Sequence, residues 1–147
     1  MINTLLVALD GSNHSLKAVD YTSEIAAALK ARVIILNVVK SQEFPEGLRE
    51  YAELEHVTGT DIEVLKKIAG HLVADAERRA KEKGVDDVVG EVEEGPVART
   101  IIARALHHDV DMIVVGSRGL GNIEATLRGG VSHRVELLAT CPVLTVK

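Results

Sequence analysis

Strand-length apolar runs alternate with helix-period segments along this 147-residue chain, and this alternation restricts the fold more than any other feature. Strict alternation predicts right-handed crossovers and a parallel, doubly wound α/β sheet. The predicted strands are Thr4–Leu9, Arg32–Val39, Asp87–Glu94, Val110–Val115 and Pro142–Val146. The predicted helices are Asn13–Ala31, Thr60 to the stop at Gly84, Pro96–His108 and Gly130–Ala139.

The second predicted helix carries two local signals. Thr60 and Glu63 have the spacing of a capping box, which predicts a helix start at Thr60. Lys40–Gly59, just before it, is polar and has no sustained period, so we expect an excursion there. The buried stripe of this helix is predicted to be Leu65, Ile68, Leu72, Ala76 and Ala80.

The composition agrees with one domain, 1–147, built on buried parallel strands. Apolar residues make up 46% of the chain but aromatic residues only 2%, which suits parallel strands covered by helices. Few aromatics and a net charge of −5 without a basic run argue against a nucleic-acid partner. The single cysteine excludes an internal disulfide. No segment has the pattern of a signal peptide or the length of a membrane span, so we expect a cytoplasmic protein with no membrane partner.

A glycine pattern after the fourth predicted strand indicates an anion site. Gly116 and Gly119 follow an apolar strand directly, and Gly129 and Gly130 stand at the start of the last predicted helix. Backbone N–H groups at such a turn and at a helix N-terminus bind phosphate. Neither a P-loop nor a dinucleotide fingerprint fits, because Asn122 and Ile123 follow Gly121 and position 124 is Glu.

The spacing Gly116-x2-Gly119-x9-Gly129 resembles the ATP-binding signature of the universal stress protein family. Val7–Ser12 is similar to the opening strand and acidic turn of that family, and Cys141–Val146 to its closing strand. The resemblance implies a single five-stranded parallel sheet in the order 3-2-1-4-5 with helices on both faces. This is a Rossmann-like arrangement, shared with the adenine nucleotide α-hydrolases. It also implies an ATP-binding sensor or regulator of the stress response.

In that strand order the first and fourth strands are neighbours where the winding reverses, and ligands of open α/β sheets bind beyond the carboxyl ends at such a point. Asp10 ends the first strand and is a candidate for binding ribose hydroxyls or a metal ion on the phosphates; alternatively it is only a turn residue. The resemblance places an adenine contact at the main chain of Val38. The full set of nucleotide-binding candidates is Asp10, Val38, Val115, Gly116, Arg118, Gly119, Gly129, Gly130, Val131 and Ser132.

One departure from the family pattern keeps a second interpretation open. Nucleotide-binding members usually have Ser or Thr where this chain has Gly130. The main hypothesis is binding of ATP or a related adenine nucleotide, with or without Mg²⁺. The alternative is a dimeric interaction module of the same family that does not bind nucleotide. Slow ATP hydrolysis ranks third because no general base is evident. Ser12 and His14 are interpreted as helix-start residues, and no catalytic or metal site is predicted.

The last predicted strand is also a candidate for homodimer formation. In the order 3-2-1-4-5 it lies at a sheet edge, where unpaired backbone groups favour pairing with a second copy. We expect Val143, Leu144 and Val146 to form this interface, which agrees with the dimer implied by the resemblance. The alternative is an edge blocked by Pro142 and Lys147.

Overall fold

The computed structural model describes residues 1–40, 57–117 and 130–147, with backbone alone for 57–61. Its strands form one sheet, and every neighbouring pair is parallel. The strands are β1 (Thr4–Ala8), β2 (Arg32–Val39), β3 (Val88–Glu94), β4 (Met112–Gly116) and β5 (Val143–Val146). The helices are α1 (Asn13–Leu29), α2 (Val57–Glu82), α3 (Val97–His107) and α4 (Val131–Leu138).

The strand order is β3-β2-β1-β4-β5, which confirms the predicted order 3-2-1-4-5. Alternate side chains of the strands point to opposite faces, and a helix layer buries each face. On one face, Leu5 and Val7 of β1 pack with Val19 of α1 and Val73 of α2. On the other face the core contains Leu6, Ile34 and Ile113 of the sheet with Ile101 of α3 and Val135 of α4. The doubly wound α/β class is therefore confirmed.

The start of α2 was predicted wrongly. The helix begins at Val57, so Thr60 lies inside it rather than at its cap. A capping box is a local pattern, and nothing in it prevents the chain from becoming helical three residues earlier. The predicted excursion Lys40–Gly59 is shortened accordingly, and residues 41–56 lie outside the described ranges.

The predicted stripe of α2 was also wrong in its first half. Leu65 is 38% exposed and Ile68 is 59% exposed. Among the side chains of this helix that the structure describes, Ala69, Val73, Ala76 and Ala80 are buried. Leu72 packs near Gly11, just beyond β1, and Lys66 pairs with Glu94 at the end of β3, so the turns that carry Leu65 and Ile68 lie at the carboxyl ends of these strands rather than over the middle of the sheet.

Other boundaries agree with prediction to within two residues. α1 ends at Leu29 rather than Ala31, and Pro96 is the N-cap of α3 rather than its first helical residue. Within the described ranges, no helix has the length and apolar character needed to cross a membrane.

Candidate nucleotide site

The carboxyl ends of four strands meet at one edge of the sheet. Ala8 of β1 is paired with Leu36 of β2, and Val7 with Val114 of β4. Continuing these registers by two residues brings Asp10 level with Val38, and Leu9 level with Gly116. Gly116 is in turn paired with Val146 of β5. Strand order and register therefore bring Asp10, Val38 and Gly116 to the edge where the winding reverses.

Asp10 is held at this edge by a network of local hydrogen bonds. The buried Asn37 donates from Nδ2 to the carbonyl of Leu9 at 2.6 Å, which fixes the end of β1 against β2. Asp10 is exposed, and its Oδ1 accepts the N–H of Ser12 at 2.9 Å. Gly11 between them has φ +85°, a left-handed conformation that glycine adopts without steric cost. Asp10 is therefore a turn residue, as one of the two interpretations predicted. Because Asp10 is exposed, its carboxylate is also accessible from solvent.

The N-terminus of α1 packs directly against the end of β4. Ser12 is the N-cap, and its Oγ accepts the N–H of Ser15 at 3.2 Å. A Cβ on Gly116 would lie 2.9 Å from the carbonyl carbon of His14 and 3.0 Å from its Cβ. Glycine at 116 is therefore required by this close approach, independently of any ligand.

The same close approach brings together two polar side chains that the sequence analysis did not pair. His14 Nδ1 lies 3.1 Å from Ser117 Oγ, at a partly buried position. Asp10 and Ser12 are the polar residues close to His14 in the sequence, whereas 103 positions separate His14 from Ser117. The strand order is the feature that could have predicted this contact, because His14 follows β1 and Ser117 follows β4, and these two strands adjoin where the winding reverses.

The N-terminus of α4 differs from that of α1. Its N-cap is Gly130, which has no side chain to accept a hydrogen bond from the first turn. Val131 is 39% exposed and Ser132 is partly buried. No acidic residue lies in the first turn. Exposed N–H groups and the positive end of the helix dipole favour an anion at such a terminus.

The remaining predicted site residues divide into two groups. The side chain of Val115 is 2% exposed and belongs to the core, and Val38 packs against the same core, so both offer mainly backbone to a ligand. Arg118, Gly119 and Gly129 lie outside the described residues.

A shallow apolar groove lies at the opposite, amino edge of the sheet. Ile102 and Leu106 of α3, Ile113 of β4 and Cys141 before β5 contribute to its lining. Burial raises the pKa of the Cys141 thiol, which disfavours the reactive thiolate. This groove lacks the converging polar groups found at the carboxyl edge.

Comparisons with known proteins agree with this architecture. The model of the universal stress protein family matches residues 1–147. Universal stress protein YxiE of Bacillus subtilis is 34% identical over 154 aligned positions, which cover 100% of both chains. Universal stress protein MJ0531 of Methanocaldococcus jannaschii is 33% identical, over 97% of this chain and 81% of that protein.

Solved structures give the same result. A universal stress protein in complex with cAMP has 30% sequence identity and a TM-score of 0.70, with 99% of this chain and 96% of that chain covered. The hypothetical protein MJ0577 has a TM-score of 0.83 at 24% identity, with coverage of 100% and 96%, and shows the shared fold. Since the family model matches the whole chain and two relatives exceed 30% identity, this chain belongs to the universal stress protein family.

Proposed function

We propose that this protein binds ATP or a related adenine nucleotide beyond the carboxyl ends of β1 and β4, and acts as a cytoplasmic sensor or regulator of the stress response. One observation carries the proposal. The strands β1 and β4 adjoin where the winding reverses. The exposed carboxylate of Asp10 comes just after β1, the close-packed Gly116 ends β4, and the next described element of the chain is α4 with its glycine N-cap. Ligands of open α/β sheets bind at this position.

Each of these groups suits a different part of a nucleotide. The first-turn N–H groups of α4 are donors for phosphate oxygens, and the helix dipole adds favourable potential. A carboxylate such as Asp10 accepts hydrogen bonds from ribose hydroxyls. The main chain at Val38 is level with Asp10 and suits an adenine edge. The related solved structure in complex with cAMP supports an adenine nucleotide as the ligand class.

A dimeric interaction module without nucleotide is the second candidate. The observation that favours it is Gly130, which provides no hydroxyl at the start of α4. A missing hydroxyl contact lowers affinity by about tenfold at most, because one hydrogen bond contributes about 0.5–1.5 kcal/mol. The backbone donors are unaffected by this change, so we rank nucleotide binding first.

Mass spectrometry of small molecules released from freshly purified protein tests the proposal. We expect an adenine nucleotide in the wild-type extract and a reduced amount from Asp10→Asn, which retains the Oδ1 acceptor for Ser12 but loses the charge. Asp75→Asn, on the exposed surface of α2, is the matched control and should release the wild-type amount. If the wild type releases none and gives no calorimetric heat with millimolar ATP and Mg²⁺, the interaction-module function replaces this one.

A further inference from the structure

We propose that His14 makes phosphate binding in this crevice pH-dependent, because protonation of its imidazole adds a cation beside the phosphate. The proposal rests on the nucleotide function above and names a means of regulating that same site. It assigns a role to the contact between His14 and Ser117.

The backbone holds this contact in place. Gly116 lies against the main chain of His14, where no Cβ would fit, and Ser117 follows it directly. The N–H of Ser117 donates to the carbonyl of Val146 at 2.7 Å, so β5 anchors the residue from its other side. Imidazole and hydroxyl are therefore fixed 3.1 Å apart at the end of β4, on the edge proposed for the phosphate.

The charged groups around His14 come from several elements. Asp10 lies at the end of β1 with its carboxylate on the N–H of Ser12. Lys17, nearly one turn further along α1, donates from Nζ to the carbonyl of Lys147 at 2.8 Å, next to β5. α2 contributes the exposed His71, adjacent to the Leu72 that packs near Gly11. His14 and His71 are the histidines at this corner among the described residues, and imidazole is the side chain generally suited to a switch near neutral pH.

The imidazole is suited to a switch for a chemical reason. A neutral ring has one N–H, whereas the protonated ring donates from both nitrogens and carries a positive charge. One donor then remains on Ser117 Oγ while the other is available to a phosphate oxygen. Charge-assisted hydrogen bonds are roughly twice as strong as neutral ones.

The test is calorimetry with cAMP and with adenosine at pH 5.5 and pH 8.0. A phosphate monoester would confuse the result, since its second pKa is near 6. The phosphodiester of cAMP keeps one negative charge over this range, and adenosine has no phosphate. We expect wild-type protein to bind cAMP about tenfold more tightly at the lower pH and adenosine equally at both.

Two variants identify the group responsible. His14→Gln retains a hydrogen-bonding partner for Ser117 without a charge, so its cAMP affinity should be the same at both pH values. His71→Gln should keep the wild-type pH dependence. In wild-type protein, NMR should show the His14 imidazole titration midpoint rising by about one pH unit in saturating cAMP, as linkage to a tenfold affinity change requires.

The two proposals fail separately. Wild-type binding of cAMP that does not change with pH, a pH dependence that persists in His14→Gln, or an equal dependence with adenosine each overturns the role of His14 alone. Absence of binding of every nucleotide and of adenosine at both pH values overturns the nucleotide function itself.

Discussion

At the residue scale, Gly116 and Gly130 of the motif differ in how strictly the structure requires glycine. Gly116 permits the backbone of β4 to contact the first turn of α1, and a Cβ there would meet main-chain atoms of His14. Gly130 is the N-cap of α4 with φ −57° and ψ 171°, a conformation open to any L residue. The backbone conformation at 130 therefore does not require glycine, whereas the packing at 116 excludes a Cβ.

This difference leads to a prediction for Gly130→Ser. The added hydroxyl supplies the phosphate contact typical of nucleotide-binding members, so ATP affinity should increase by up to about tenfold. Calorimetry measures the change, with Gly130→Ala as the matched control that adds a Cβ without a hydroxyl. An unchanged affinity in the serine variant would mean that a hydroxyl at this position does not contact the ligand.

At the element scale, a charged cluster joins α3 to the edge strand β3. Arg104 donates from Nε and Nη2 to the carboxylate of Glu91, both at 2.9 Å, and His108 Nε2 lies 2.7 Å from the same carboxylate. Burial acts to raise the pKa of Glu91, and the hydrogen bonds from Arg104 and His108 act to lower it. The lowering effects together are larger, so the pKa lies below its ordinary value of 4.5. The cluster therefore stabilises the fold only when Glu91 is ionised.

The predicted consequence is acid sensitivity that depends on Glu91. Since its folded-state pKa is lowered, its stabilisation is present above about pH 4.5 and is lost as pH falls through the folded-state value. Glu91→Gln should lower the free energy of unfolding by about 1–3 kcal/mol at pH 7, and the difference should vanish in acid. Urea unfolding across pH measures this, with the exposed Glu63→Gln as control. A deficit that is constant with pH would contradict the assigned ionisation.

Most elements were predictable from the sequence because apolar periodicity determines which segments face a core. The errors arose where tertiary context decides. The stripe through Leu65 and Ile68 has helical spacing, but both side chains are exposed, in turns of α2 that lie near Glu94 at the carboxyl end of β3. The contact between His14 and Ser117 depends on two strands adjoining, and periodicity alone does not specify that order.

At the scale of the whole molecule, β5 forms one edge of the sheet and pairs with β4 on its inner side. Val143 and Leu144 already pack partly against the two cores of their own chain. The carbonyls of Pro142 and Val146 accept hydrogen bonds from Ile113 of β4 and from Ser117 directly after it. Because the backbone groups of successive strand residues point to opposite sides, the N–H of Thr145 points away from β4. The backbone edge, more than the two side chains, is therefore the surface available to a second copy.

We predict that the protein is a homodimer joined through this edge. Thr145→Pro removes the outward N–H and should give a monomer in sedimentation at micromolar concentration. Thr145→Val is the matched control, because it keeps the N–H and loses only the side-chain hydrogen bond to Glu136. A monomeric wild type, or a proline variant that remains dimeric, would contradict this interface.

The central claim is that a nucleotide occupies the carboxyl edge between β1 and β4, and an amide NMR titration with ATP tests it most directly. We expect saturable shifts for the backbone N–H groups of Asp10, Gly116, Ser117 and Val131, with little change at Leu106 in the groove at the opposite edge. Absence of shifts at the carboxyl edge with millimolar ATP, or shifts confined to the groove, would contradict it.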